Sequence, residues 1–230
     1  MADSKNEGRA TIIATALRSA IIELAVKPGT RLPEDTIGEQ FGVSRTVVRT
    51  ALTLLASEGL VQQRKNRSAI VAEPSWKEAR DTFDLRMAVE ELVIRRLAKT
   101  ITAEQLTALR AHVKKEELSQ NENELHSIRL AGEFHALLAE FTNSDILANY
   151  MRELSSRCCL ILALYSRPHS SECGVSEHLE LLDLLEQGEE EKLSTAMSCH
   201  MQGVIDRALI APPKKEERGL DEVLSSYIPG

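Results

Sequence analysis

The sequence predicts a mainly α-helical protein made of a small N-terminal domain and an antiparallel bundle of about six helices. In the first 73 residues, short helix patterns are punctuated by turns and end in a polar hairpin pattern. Beyond residue 76, apolar residues recur at helical spacing and no alternating strand pattern is found. Between the two parts stands Pro74, the only proline between residues 34 and 167, so we expect a short linker at 74–76.

The first 73 residues contain three helix patterns and one hairpin pattern. The expected elements are helices over 10–25, after Pro33 and over 45–57, and strands over 62–64 and 69–72. Gly42 permits a tight turn between the second and third helices, and Ser44 is placed to cap the third. Two helices joined by a three-residue turn with glycine, followed by a hairpin, predict a winged helix-turn-helix.

The outer face of the third predicted helix carries two cations near its N-terminus. Arg45 and Arg49 lie one turn apart, and Thr46 lies beside them. Arginine can make paired hydrogen bonds to guanine in the major groove, where a recognition helix presents such side chains. The hairpin tip, residues 65–68, is polar and basic and can reach phosphates or the minor groove. Ordinary surface arginines explain either piece alone, but helix, turn, basic helix and basic hairpin in series favour DNA binding.

The segment RLPEDTIGEQFGVSRTVVRTALTLLASEGLV resembles the winged helix-turn-helix of GntR-type bacterial transcriptional regulators. The resemblance implies operator contacts at Arg31, Arg45 and Arg49. With the cap and wing residues, the candidate DNA-binding set is Arg31, Ser44, Arg45, Thr46, Arg49, Lys65, Asn66 and Arg67. The segment departs from the family pattern at Val47, Thr50 and Ser68, where a proline, an acidic residue and the glycine of the wing tip are usual.

The net charge of −7 over 230 residues is an average of two unlike parts. Residues 1–76 carry +2 and residues 77–230 carry −9, so a basic face can bind phosphate while the remainder is acidic.

No apolar run approaches the ~20 residues that span a bilayer, and the N-terminus lacks a secretory signal. Four cysteines without CxxC spacing do not form a disulfide scaffold. We therefore expect a protein of the cytoplasm without membrane contact.

The second part, residues 77–211, is expected to be all-helical. The predicted helices lie near 77–99, 103–119, 123–142, 145–165, 175–187 and 189–209. Ser75 with Glu78, and Thr102 with Gln105, have the spacing of capping boxes at the start of two of these helices. Residues 212–230 are polar and are expected to form a flexible tail.

Three histidines point inward from three different predicted helices. His135, His178 and His200 each have apolar neighbours at helical spacing. A lone inward histidine is more often a hydrogen-bonded core residue than a ligand, but three on facing bundle helices favour a divalent metal site. The neighbouring Glu133 and Glu177 are expected to point away, which leaves the histidines without a carboxylate partner.

FHALLAEFTNSDIL and HLELLDLLEQGEEEKLSTAMSCHM resemble the FCD ligand-binding domain of the FadR branch of GntR regulators, and six helices resemble its VanR subgroup. The resemblance implies that His135, His178 and His200 bind a divalent metal, for which zinc or nickel suits imidazole ligands. The family's acidic ligand position holds Ala131, which leaves a three-histidine site with open positions or a weaker site. The resemblance to the FCD domain also implies that the effector is a small organic acid.

Arg86 and Arg157 are the candidate effector-binding residues, because the fork of arginine suits a carboxylate. The alternative for Arg86 is an ion pair with Glu90, one turn further along the helix.

The function that these features favour is a transcriptional regulator, expected to be a repressor. It would bind a palindromic operator as a homodimer and respond to a small organic acid bound near the metal. One alternative is a metal-dependent, hydrolase-like enzyme that uses the three-histidine site, although the sequence contains no HExxH, P-loop or GxGxxG motif. Another is an architectural DNA-binding protein, which would need neither inward histidines nor an acidic domain.

Overall fold

A computed structural model describes residues 2–119, 124–165 and 172–208 of the chain. The elements, in order, are α1 (Ala2–Ile22), β1 (Arg31–Leu32), α2 (Glu34–Phe41), α3 (Arg45–Ser57), β2 (Val61–Arg64), β3 (Arg67–Val71), α4 (Trp76–Leu97), α5 (Ala103–Ser119), α6 (Glu124–Phe141), α7 (Asp145–Tyr165), α8 (Glu172–Gln187) and α9 (Glu190–Ala208). The expected tail, 212–230, lies outside the described residues. Among the described helices, none is both long and apolar enough to cross a membrane.

The N-terminal part is a winged helix-turn-helix with one more strand than expected. Its sheet has the order β1-β3-β2, and both pairs are antiparallel. The hairpin turn is only Lys65-Asn66, and Asn66 has a positive φ of 57°, which asparagine tolerates in tight turns. Ser68 therefore lies within β3 and not at the tip, so the missing glycine leaves the turn unchanged.

The C-terminal part contains the six expected helices, α4 to α9. Both predicted capping boxes are formed. Ser75 Oγ accepts from the Glu78 N–H at 3.2 Å while the Ser75 N–H donates to the Glu78 carboxylate at 2.8 Å, and Thr102 and Gln105 pair in the same way. These caps explain why α4 and α5 begin within one residue of the expected positions.

Helix α7 contributes adjacent residues to two hydrophobic cores. Cys158 and Ile161 pack in the core of the helical bundle, whereas Cys159 and Leu160 pack among the winged-domain residues. Helix α1, which begins eight residues earlier than predicted, packs on α3, α6 and α7. The two parts therefore meet along α1 and α7 and are not joined by the 74–76 segment alone.

A buried carboxylate adds a polar contact at this junction. Glu58, the C-cap of α3, accepts two hydrogen bonds from Arg18 of α1, at 2.5 and 2.6 Å. The hydroxyl of Ser156 on α7 lies 3.5 Å from the same carboxylate. Charge-assisted, bidentate pairing of this kind fixes the orientation of both partners.

Candidate metal centre and nucleic-acid interface

The three inward histidines meet in the bundle. His135 on α6, His178 on α8 and His200 on α9 are 2%, 0% and 4% exposed. Their candidate ligand nitrogens all lie within 4.8 Å of one another. The helical spacing therefore identified side chains that tertiary packing brings to one point.

Two of the imidazoles have a glutamate on Nδ1. His178 Nδ1 lies 2.8 Å from Oε2 of Glu116, a buried residue of α5. His200 Nδ1 lies 2.6 Å from Oε2 of Glu177. The expectation that Glu177 faces away was wrong. It is one residue from His178 in sequence but reaches the histidine of the neighbouring helix, a contact that periodicity along one helix does not reveal.

The third imidazole has its glutamate from α4. His135 Nδ1 lies 2.8 Å from Oε1 of Glu90, although the two groups are not aligned as a hydrogen bond. Glu90 Oε1 also accepts from Arg86 Nε at 3.0 Å, so the ion pair considered for Arg86 is present. Burial opposes ionisation of Glu90, but the contacts with His135 and Arg86 outweigh it and lower the pKa of this carboxyl to about 2.

The nitrogens on the other side of the rings suit a cation. A carboxylate facing Nδ1 favours a proton there, which leaves Nε2 as a lone pair. Yet Nε2 of His135 and Nε2 of His200 lie 3.2 Å apart, and Nε2 of His178 is buried without a hydrogen-bond partner. Burial lowers the pKa of His135 to about 3 and also lowers the pKa of His200, which disfavours the cationic, doubly protonated form of both rings.

The residues present therefore fit a divalent metal ion. Two nitrogen ligands of a tetrahedral zinc ion, each about 2.0–2.1 Å from the metal, lie roughly 3.3 Å from each other. This is close to the 3.2 Å between Nε2 of His135 and Nε2 of His200. With neutral imidazoles, three carboxylates against Arg86 leave a formal surplus of two negative charges, which a divalent cation cancels. Arg207, half-exposed and 3.8 Å from Glu177, offsets part of this surplus at the rim.

A surface depression between α8 and α9 reaches His200, one of the three histidines. Its volume is about 610 Å³, and its lining includes the carboxylates of Glu177, Glu180 and Glu191 against one cation, Lys192. Carboxylates at the mouth of a cleft raise the local concentration of cations. Ala131, at the position where the resemblance places an acidic ligand, offers no donor atom.

The structure does not bring Arg157 to the histidines. Its Nη2 donates to Glu153 at 2.8 Å, and its guanidinium lies against Gly59 of the winged domain. Gly59 has a φ of +72°, and a Cβ added there would lie 2.2 Å from Arg157 Nε. Arg157 therefore occupies the junction of the two parts, whereas Arg86 is linked to the metal centre through Glu90.

The candidate DNA-binding residues form the second set of functional candidates and, unlike the histidines, are exposed. Gly42, in the left-handed conformation, ends α2 and lets α3 begin after three residues. Ser44 is the N-cap residue of α3, but its side chain makes no capping hydrogen bond. All eight candidates are exposed: Arg31 on β1, Ser44, Arg45, Thr46 and Arg49 at the start of α3, and Lys65, Asn66 and Arg67 on the wing.

Two carboxylates from the first turn of α2 pair with the arginines of α3. Glu34 accepts from Arg49 Nε at 3.1 Å and from Arg49 Nη2 at 2.8 Å. Asp35 Oδ1 contacts Arg45 Nε. The hydrogen bond from Arg49 lowers the pKa of Glu34. Neither partner was predicted from the sequence, although both lie in α2, the helix directly before the turn of the helix-turn-helix.

A winged helix-turn-helix with exposed arginines at the start of its second helix, joined to an all-helical domain, is the architecture of a DNA-binding regulator. The chain belongs to this class. Residues 9–71 match the gntR family of bacterial regulatory proteins, and residues 81–203 match the FCD domain. It is a member of the GntR family with an FCD domain.

Known proteins with the same organisation resemble the chain over most of its length. The HTH-type transcriptional repressor RspR of Escherichia coli is 27% identical over 82% of this chain and 83% of its own. The structure of E. coli McbR/YncC superposes with a TM-score of 0.73 at 21% identity, over 86% of this chain and 95% of that one. The structure of a GntR regulator from Rhodococcus superposes with a TM-score of 0.72 at 22% identity, over 89% of this chain and 99% of that one.

The repressor RspR and the gntR family are transcriptional regulators and not enzymes. The alternative of a metal-dependent hydrolase is therefore set aside.

Proposed function

We propose that the chain is a metabolite-responsive repressor that binds a palindromic operator as a homodimer in the cytoplasm. A small organic acid, bound near a metal held by the three histidines, controls it. We assign residues 1–73 to DNA binding, 74–76 to the linker, 77–211 to the sensing and dimerisation domain and 212–230 to a tail. The observation that carries the sensing proposal is the convergence of three histidines, each with a glutamate at Nδ1.

Exposure and position support the DNA-binding assignment. The N-terminal residues of α3 are Arg45, Thr46 and Arg49, the part of a recognition helix that enters the major groove. Lys65, Asn66 and Arg67 lie at the tip of the wing, where a cation can reach backbone phosphates. Arg45→Ala is expected to weaken operator binding more than binding to unrelated duplexes, because it removes a base contact and not only a charge.

An exposed apolar surface on α4 and α7 supports the homodimer. Trp76 stacks edge-on against Tyr165, and Arg86 adjoins Cys158, so the two helices run antiparallel. Their pairing brings the middle of one to the middle of the other. The large apolar residues exposed on these two helices are Leu85, Leu92, Ile146 and Tyr150. Large apolar side chains exposed on two adjacent helices suit an interface between two copies, which a two-fold operator would require.

A zinc or nickel ion would complete the sensing site. His135, His178 and His200 would hold it, and the ion would supply a Lewis-acidic position open to an anion. Ala131 leaves that position free on the protein's side. Arg86, buried and bonded to Glu90, is the residue that we propose for the effector carboxylate. Effector binding would shift the balance between arrangements with different half-site spacing.

The proposal is tested in two steps on the full-length protein. A duplex is first selected from a random pool, and its dissociation constant is measured by fluorescence anisotropy at fixed salt. Thermal unfolding is then followed with a panel of small organic acids, with and without chelator.

The expected result is a two-fold symmetric selected sequence, a metal-dependent shift of the unfolding midpoint by at least one acid, and weaker operator binding with that acid. Arg86→Lys, which keeps the charge but loses the fork, should blunt the response to the acid. Selection of no preferred sequence contradicts the repressor assignment. Acid shifts that chelator leaves unchanged contradict the metal-dependent sensing site.

A further inference from the structure

The arginines of the recognition helix differ from the other cations of the candidate DNA surface in having carboxylate partners. Arg45 contacts Asp35, and Arg49 makes a two-point hydrogen bond with Glu34. In the described part of the chain, no carboxylate lies within ion-pair distance of the cations expected to reach the DNA from β1 and the wing. These are Arg31, Lys65 and Arg67.

The atoms in contact leave one edge of each guanidinium available. In both arginines the acid lies on the Nε side, and in Arg49 it also uses one hydrogen of Nη2. A guanidinium has five N–H donors in a plane, so an acceptor on the Nε side leaves the terminal edge, formed by Nη1 and Nη2, for another acceptor. Two parallel donors on one edge are what O6 and N7 of guanine require in the major groove.

We infer that Asp35 and Glu34 are positioning residues for base recognition, which hold Arg45 and Arg49 so that their terminal edges meet guanine and not the nearest phosphate. The inference rests on the proposed operator binding and names residues of α2 as determinants of its specificity. Their negative charge also repels the DNA backbone. They therefore lower affinity for any duplex while they raise discrimination between duplexes.

Because these ion pairs are exposed, we expect them to contribute little to the stability of the free protein and more to the orientation of the arginines on DNA. Exposed ion pairs contribute little to stability in water, because solvent screens them and the side chains lose entropy. When a duplex covers α3, water leaves the pair and the same contact is stronger. The positioning effect is thus expected in DNA discrimination and not in folding.

The test compares Asp35→Asn and Glu34→Gln with a matched control, Glu39→Gln. Glu39 is an exposed residue of α2 that lies on the same side of the domain as Arg45 and has no ion pair in the described chain. Each change removes one negative charge near the DNA. The measurements are dissociation constants for the duplex selected by the unmodified protein and for a scrambled duplex of equal length, over a range of salt concentrations.

For Asp35→Asn and Glu34→Gln, the ratio of selected to scrambled affinity is expected to fall about tenfold, because one bidentate base contact loses its alignment. Binding to the scrambled duplex should tighten, and its log–log salt slope should steepen by about one as the freed arginine reaches a phosphate. Glu39→Gln should tighten both duplexes together and keep the ratio.

A ratio in Asp35→Asn and Glu34→Gln that matches the ratio in Glu39→Gln overturns the inference and leaves the repressor proposal intact. Loss of all sequence selection by the unmodified protein contradicts both. Thermal unfolding midpoints equal to that of the unmodified protein are expected for all three variants, and a loss of discrimination that follows a lowered midpoint would count against a positioning role.

Discussion

Glu116, whose carboxylate contacts His178, provides the sharpest test of the candidate metal centre. Glu116 is 1% exposed, and its Oε2 lies 2.8 Å from Nδ1 of His178, whose Nε2 is buried without a partner. Glu116→Gln keeps the shape but replaces the charged acceptor by an amide that can present either oxygen or nitrogen. Outer partners of this kind typically change metal affinity about 10–100-fold, because they fix the tautomer and the orientation of the ring.

The loss can be expressed as stability. At free metal about 100 times the dissociation constant, binding stabilises the fold by about 2.7 kcal/mol. A 10–100-fold weaker site gives about 1.4 to 0.4 kcal/mol at the same metal concentration. For a chain of this size, about 1 kcal/mol corresponds to roughly 2–4 °C. The metal-induced rise of the unfolding midpoint should therefore shrink by roughly 3–9 °C in Glu116→Gln.

The assay is a competition titration of zinc and nickel against a fluorescent chelator, followed by thermal unfolding with and without metal. The control is Glu117→Gln, the same substitution at the next residue of α5, whose side chain is exposed and pairs with Lys114. Glu117→Gln should bind metal as the unmodified protein does. Equal metal affinity in Glu116→Gln and Glu117→Gln would refute the reasoning, as would the absence of any metal binding in the unmodified protein.

Two further predictions concern the junction and the dimer. Gly59→Ala should cost more in urea unfolding than the roughly 1 kcal/mol expected for Gly188→Ala, because both have a positive φ but only at Gly59 must the guanidinium end of Arg157 move aside. Arg157→Ala should recover part of the difference, and equal costs would contradict the contact. Leu92→Asp should yield a monomer in sedimentation, while Leu118→Asp, at a leucine of α5 that is more exposed than Leu92, stays dimeric. A dimeric Leu92→Asp would place the interface elsewhere.

The helix boundaries were predictable where local chemistry sets them. Helix α3 begins and ends at the expected residues because Gly42 ends the preceding helix and Gly59 follows its own last turn. The same holds at the capping box of Thr102 with Gln105. The strand β1 was missed because two residues carry no periodic signal, and its pairing with β3 joins segments almost forty residues apart.

The candidate metal centre was predictable only in its inner layer. An inward histidine reveals itself by the apolar residues of its own helix, so His135, His178 and His200 could be found one by one. The glutamate that contacts each histidine lies on a different helix from that histidine. Glu116 is 62 residues from His178 in sequence. A glutamate with polar neighbours is indistinguishable from a surface residue until packing buries it.

The position of α7 would give the proposed control of DNA binding by an effector a physical basis. Cys158 adjoins Arg86, which is bonded to Glu90 and through it contacts His135. The residues on either side of Cys158 in sequence pack against the winged domain, and Ser156 approaches the carboxylate of Glu58, the C-cap residue of α3. A helix is stiff over one turn, so a ligand that displaces Arg86 and Cys158 cannot leave Ser156 in place. Packed interfaces adopt discrete arrangements more readily than they deform, and a shift of α7 would therefore move α3 as a unit.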